Sequence, residues 1–254
     1  MRKVVAIGAL LAFVSAATAG VIFTETFDYA DDAALNAVWN AHAPNPDYHL
    51  DTTFGNPEPS YMMPSPGANF QGRLAVNLGG DFNATDAEPL VMSFDMYLDD
   101  AGEADLWNGA RHYVELRGYS GDAYASGDLE NLLAMGVYNN SDDGYDSTFY
   151  QGRVVYGSNW NTLDEEPGAM QRSTGWHNME ITVTGSQVLF AIDGVLQEVE
   201  ARPNGFGFDS VVLGSDLTAN GHTAWIDNLV IATIPEPASL ALLALGGLAL
   251  LRRR

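Results

Sequence analysis

The sequence predicts an all-β protein, a two-sheet antiparallel β-sandwich of jelly-roll type, held between two export signals. Three observations predict it. Between Val21 and Ile231, short runs rich in β-branched and aromatic residues alternate with clusters of Gly, Asn, Asp and Pro. Within Leu90 to Leu98, Val91, Ser93, Asp95 and Tyr97 alternate with Met92, Phe94, Met96 and Leu98, one buried face against one wet face. Finally, Gly175 to Glu198 contains two tight-turn signals, Gly185-Ser186 and Asp193-Gly194, so three consecutive antiparallel strands follow from turn chemistry alone.

Taken in order, the first strand is Val21 to Phe27. One or two helical turns follow from Asp31 to Trp39, with Asp31 or Asp32 as cap. Ala43 to Ala68 carries six prolines and reads as an irregular surface excursion. Strand signals resume at Arg73 to Val76 and continue at Leu90 to Leu98, His112 to Gly118, Leu132 to Tyr138 and Phe149 to Tyr156. They close with Trp176 to Thr184, Val188 to Ile192, Val195 to Val199, Ser210 to Leu213 and Thr223 to Ile231. Many short strands at this spacing suit a sandwich. No internal repeat and no second domain is visible.

Both ends carry export chemistry. Met1-Arg2-Lys3, an apolar run from Val4 to Val14 and the small residues Ala17-x-Ala19 form the three parts of a signal peptide. Residues 1–19 are therefore expected to be removed by signal peptidase, in preference to serving as an uncleaved anchor. At the other end Ile234-Pro235-Glu236-Pro237 precedes an apolar run from Ala238 to Leu251, then Arg252-Arg253-Arg254. A helix over that run is roughly 20 Å long, short of the ~30 Å hydrocarbon core, so it inserts only transiently in the inner membrane. The arginines hold its end on the cytoplasmic side. Residues 20–232 remain for the sandwich and 233–254 for the tail.

The tail, through Pro235, Glu236, Pro237, the short apolar helix and Arg252, Arg253 and Arg254, resembles the PEP-CTERM sorting signal of Gram-negative bacteria. The resemblance implies processing by an exosortase-type enzyme and a destination at the cell surface or in an exopolysaccharide matrix. Within the sandwich, Trp176-His177 opening one strand, Asp193-Gly194 closing the next and the final Ala224 to Ile231 resemble the concanavalin A-like, laminin-G-like jelly roll. That resemblance implies a first strand (Phe23-x-Glu25-x-Phe27) beside the last. It also implies a structural calcium between them, held by Glu25 or Asp28 with Asp227.

Without its two signals the chain keeps six arginines, no lysine and 32 acidic residues, a net charge near 6 − 32 = −26. Such a field repels nucleic acid and anionic lipid and favours solubility. There is no cysteine, which removes thiol chemistry, cysteine zinc sites and disulfides.

Motifs for catalysis are missing. No strand carries the alternating Glu-x-Asp-x-x-Glu of sandwich glycosidases, and neither Gly-x-Ser-x-Gly nor His-Glu-x-x-His occurs. The five histidines have no metal spacing, and His177 reads as structural. A second calcium candidate is the oxygen-rich loop with Asp142, Asp143 and Asp146, although Tyr150 stands where an EF-hand needs its bidentate glutamate. For sugar stacking, Trp107 and Trp160 sit among polar neighbours and are expected on exposed loops. Trp39, Trp176 and Trp225 read as core. The expected function is a non-catalytic surface or matrix protein binding glycan or a surface partner. The alternative is a secreted glycoside hydrolase or lyase on the same fold.

Overall fold

The computed structural model describes residues 20–41, 49–63, 70–99, 111–121, 127–138, 146, 148–155, 160–218 and 223–234. The expected signal peptide and residues 235–254 of the expected sorting tail lie outside them, as do Trp107, Asp142 and Asp143. Among the described residues, fifteen strands form two antiparallel sheets, accompanied by one helix. In chain order they are β1 (Gly20–Glu25), α1 (Asp32–Val38), β2 (Asn40–Ala41), β3 (His49–Asp51), β4 (Ser60–Met63), β5 (Phe70–Phe82), β6 (Leu90–Leu98), β7 (Arg111–Tyr119) and β8 (Leu129–Tyr138). There follow β9 (Gln151–Val154), β10 (Trp160–Thr162), β11 (Gly175–Val183), β12 (Gln187–Ile192), β13 (Val195–Ala201), β14 (Phe208–Thr218) and β15 (Ala224–Thr233).

The first sheet runs β13-β12-β11-β6-β15-β4-β3, with β1 also paired to β15. The second runs β10-β9-β8-β7-β14-β5-β2. The expected three-strand meander is present as β11-β12-β13. Its second turn uses Asp193 and Gly194, both at positive φ (49° and 76°), the mirror-image turn that matches strand twist. The first strand lies beside the last, Glu25 opposite Leu229.

Side chains at every second position enter one core between the sheets. From the first sheet come Met92, Phe94, Met96, Met179, Ile181, Phe190, Ile226 and Ile231. Leu74, Val114, Leu116, Leu133, Met135, Val211 and Leu213 come from the second. Each such burial contributes roughly 1.5–3 kcal/mol before entropy is charged against it. The helix forms as expected: Asp31 Oδ1 accepts from Ala34 N at 2.9 Å, and Leu35 and Trp39 are fully buried. Trp39 Nε1 donates to Glu25 Oε2 at 2.8 Å, tying the helix to β1.

The proline-rich excursion differs from expectation. Two short strands, β3 and β4, lie inside it and extend the first sheet from β15. The turn between them, with Pro57 and Pro59, folds back across that sheet. Proline was a poor guide here because it blocks a strand only where it sits, and the pairing residues around it are free of it.

Candidate functional site

Because side chains alternate along a strand, the residues facing away from the core can be read from the pairing register. On the second sheet Val114 and Leu116 point inward, so Arg111, Tyr113, Glu115 and Arg117 of β7 point outward. The same parity turns Arg73, Ala75 and Asn77 of β5 outward, with Val212 and Gly214 of β14, Ala134, Gly136 and Tyr138 of β8, and Arg153 of β9. The rows run straight across the sheet. One row is Trp160–Arg153–Ala134–Glu115–Val212–Ala75; the next contains Gly136–Tyr113–Gly214–Arg73. Arg111 faces Tyr138, and Arg117 lies between Leu132 and Ser210.

This face has a buried floor and a wetter rim. Tyr113, Glu115, Arg117 and Trp160 are buried, whereas Arg73, Asn77, Arg111, Tyr138 and Arg153 are half-buried. Arg117 Nε donates to Glu115 Oε2 at 2.6 Å, and its Nη1 donates to the Tyr119 hydroxyl at 3.0 Å. Burial alone would lower the guanidinium pKa, but the Glu115 carboxylate and the Tyr119 oxygen more than offset this and hold it above its ordinary value. The Arg111 guanidinium stands 4.7 Å from the Tyr138 ring centre and that of Arg153 5.6 Å from the Trp160 ring. Among the described residues, the Nε atoms of Arg111 and Arg153 and Nδ2 of Asn77 are buried without a hydrogen-bond partner.

Trp160 corrects an expectation. Its polar neighbours pointed to an exposed loop, yet it is only 5 % exposed, stacked on Tyr138 (4.4 Å between ring centres, 9° between planes) and against Tyr113. It starts a short strand, so Asn161 points to the opposite side and says nothing about the exposure of Trp160. Trp176 and Trp225 err the other way. They are half-buried on the outer face of the first sheet, both flanking Tyr97, with Phe54 from the β3–β4 turn packed over all three rings. Trp225 Nε1 donates to Asp51 Oδ2 at 3.1 Å, and Asp95 accepts from Asn56, Asn178 and Asn228 beside the rings. Trp39 is in the core as expected.

The expected calcium ligands do not converge. Glu25 accepts from Phe27 N, the Tyr29 hydroxyl and Trp39 Nε1. Asp227, fully buried, accepts from Asn56 N and Asn228 N, and burial raises its pKa. Donor hydrogens occupy the oxygens that a cation would need, and Asp28 is exposed. Asp146 accepts from Thr148 N and Oγ1, which lower its pKa. Among the described residues no group of three or more His, Asp or Glu is arranged to hold a metal ion. The Glu25, Asp28 and Asp227 set therefore does not fit calcium.

His177 joins two ends of the meander. Its Nε2 lies 2.7 Å from Ser173 Oγ and its Nδ1 2.7 Å from Asp193 Oδ2, while Asp193 Oδ1 accepts from Asn178 N at 2.8 Å.

With the geometry set out, likeness to known proteins separates the tail from the sandwich. Residues 233–254 match the PEP-CTERM protein-sorting motif. A PEP-CTERM tail indicates export and surface association in Gram-negative bacteria, with processing by an exosortase-type enzyme. Among the described residues no helix is long and apolar enough to cross a membrane. No curated protein matches the chain. The sandwich is similar to a structure from work on endo-acting O-glycanases that human gut bacteria express to initiate mucin breakdown (TM-score 0.59, 13 % identity, 84 % of this chain and 99 % of that one). It is also similar to a carbohydrate esterase from the Shiga toxin-encoding bacteriophage phi24B (0.57, 13 %, 85 % and 99 %). A third likeness is to a sialidase (0.53, 11 %), where 85 % of this chain spans only 18 % of the other. At these identities the likeness is one of fold.

Proposed function

We propose that the chain is an exported surface protein whose sandwich is a non-catalytic glycan-binding module, with the outer face of the second sheet as its binding surface. The observation that carries this reading is the floor and rim of that face. Half-buried Arg73, Asn77, Arg111, Tyr138 and Arg153 surround buried Tyr113, Glu115, Arg117 and Trp160. A few fixed polar groups over an aromatic floor is the composition of sites that orient polyhydroxylated ligands. The sorting tail supports it, because surface association is the setting in which a glycan partner would be met, and the sandwich is similar in fold to glycan-active proteins. The decisive experiment is binding of the purified full chain to an array of neutral and acidic polysaccharides. Retention of at least one, weakened by Tyr138→Ala with an unchanged melting point, is expected; no retention on any would end the glycan reading.

A second reading, sugar-ester hydrolysis, is favoured by the Ser173–His177–Asp193 chain of hydrogen bonds, which has the order of a nucleophile, base and orienting acid. The same bonds lock the Asp193-Gly194 turn, which is reason enough for them. Turnover of an acetylated sugar that vanishes in Ser173→Ala would establish this reading against the first.

A further inference from the structure

We infer that the ligand of the second-sheet face is an anionic polysaccharide, an extended chain bearing carboxylate or sulfate on successive sugars. This rests on the glycan-binding reading and names the chemical class of its ligand. Outside the two signals the chain has six arginines and no lysine among 32 acidic residues. Four of the six, Arg73, Arg111, Arg117 and Arg153, lie on this one face, on three strands that are brought together only by the sheet order. In the rows of Arg73, Arg117 and Arg153, Glu115 is the one carboxylate among the described residues, and Arg117 is its ion-pair partner; Asp216, two residues beyond Gly214 on β14 and paired with Gln71, is the second acid at this parity. A face with four guanidiniums and two carboxylates inside a chain near −26 is the opposite of what solubility alone would produce.

The placement also selects a polymer. Arg111 and Arg117 are six residues apart on β7, about 20 Å along the strand, and Arg73 and Arg153 each lie two strands from it, about 10 Å to either side. The acid groups of one sugar do not reach across such spans; a chain lying along the sheet does. Arg111 and Arg153 are held by Tyr138 and Trp160, with buried Nε hydrogens unsatisfied among the described residues. A planar guanidinium fixed in this way is prepared for the two-pronged hydrogen bonding that a carboxylate or sulfate accepts. Nucleic acid carries the same charge, but the floor tryptophan is buried against Tyr138 and offers no ring for a base. The chain is also exported.

The test measures binding of the purified full chain to polygalacturonate, dextran sulfate, uncharged dextran and single-stranded DNA, at 50 and 200 mM salt. Polygalacturonate or dextran sulfate is expected to bind, and which of them does so distinguishes carboxylate from sulfate as the recognised group. Binding is expected to weaken about tenfold or more across that salt range and to fall at least as much in Arg111→Gln/Arg153→Gln. The Arg111→Lys/Arg153→Lys pair, which keeps charge and loses the planar fork, is expected to recover part of it and controls for folding together with the melting point. Binding of neutral polysaccharides alone, indifferent to salt and to the arginine variants, would overturn the anionic inference and leave the glycan reading standing. Binding of DNA as tight as that of either acidic polysaccharide would overturn it in favour of a general polyanion surface. Failure of every polysaccharide on the array and in this set would overturn both.

Discussion

The two sheets turn very different faces to the outside. The first presents packed rings, Phe54, Tyr97, Trp176 and Trp225, edged by Asp51, Asp95 and three asparagines, and it has no arginine in those rows. The second presents three half-buried arginines around a floor that contains Tyr113, Arg117 and Trp160. On the first, a turn of the same chain already covers the rings, so their apolar area is largely spent on folding. On the second, the Arg111 and Arg153 guanidiniums lie over rings, and their Nε atoms are buried without a hydrogen-bond partner among the described residues. Aromatic content alone therefore does not mark the binding face; unsatisfied, pre-positioned polar groups do.

The largest expected effect tests how the arginine face is built. Gly136 and Gly214 flank Tyr113 in one row with φ of 151° and 153°, and a Cβ on Gly136 would lie 2.3 Å from the His112 carbonyl oxygen. Gly136→Ala combines a strained backbone with a collision against main chain and should cost about 3 kcal/mol or more. A melting point lower by on the order of 10 °C is expected in calorimetry; a loss under a few degrees would mean that the row is not closely packed. Next is Trp225→Ala on the other face. It removes the ring under Phe54 and the donor to Asp51, and should cost about 2 kcal/mol while leaving glycan binding unchanged. If binding is lost instead, the two faces have been assigned the wrong way round.

How much of this contrast was legible depends on how local each signal is. The β11-β12-β13 meander was readable because Gly185-Ser186 and Asp193-Gly194 specify their turns within a few residues. Leu90 to Leu98 was readable from strict alternation, and Asp31 from its capping position. The parity that places Trp176 and Trp225 outside was also in the sequence. Met179, Ile181 and Val183 are buried, so the even-numbered Trp176 must face the other way. The general burial of large aromatics obscured it. The arginine face is a different matter. Arg117 lies in the expected strand His112 to Gly118 and Arg111 just before it at the same parity, so only their joining in one strand came from the structure. Arg73 and Arg153 join them only through the order β5-β14-β7-β8-β9, which no local pattern encodes. The same holds for the carboxylates: Glu25 and Asp227 were rightly placed on neighbouring strands, but which donors would occupy them depended on a tryptophan and a turn far away in sequence.

A smaller effect is expected where the edges of the two sheets meet. Asn161 of β10 donates to Glu198 of β13 at 3.1 Å and also to Glu200, so two carboxylates share one amide. Burial, then the hydrogen bond to Glu200, pushes the Glu198 pKa up from its ordinary 4.5 to about 8. The folded state thus holds this proton more tightly than the unfolded chain does. Its contribution to stability is complete below about pH 4.5 and is lost as pH rises through 8. Glu198→Gln cannot ionise, so its melting point should fall less than that of the parent between pH 5 and pH 9. Parallel slopes would mean that the seam between the sheets carries no shared proton.

The smallest effect separates charge from stacking on the arginine face. Arg153→Lys keeps the positive charge beside Trp160 but loses the planar contact with its ring, worth about 0.5–1 kcal/mol at a half-buried site. A melting point lower by only a degree or two is expected. Tyr138 still stacks on Trp160, so the floor should stay in place, and the indole fluorescence maximum should hardly move. A clear red shift would mean that Arg153 seals the floor against water, and the guanidinium would then be a structural lid over Trp160 instead of a group held ready for a ligand.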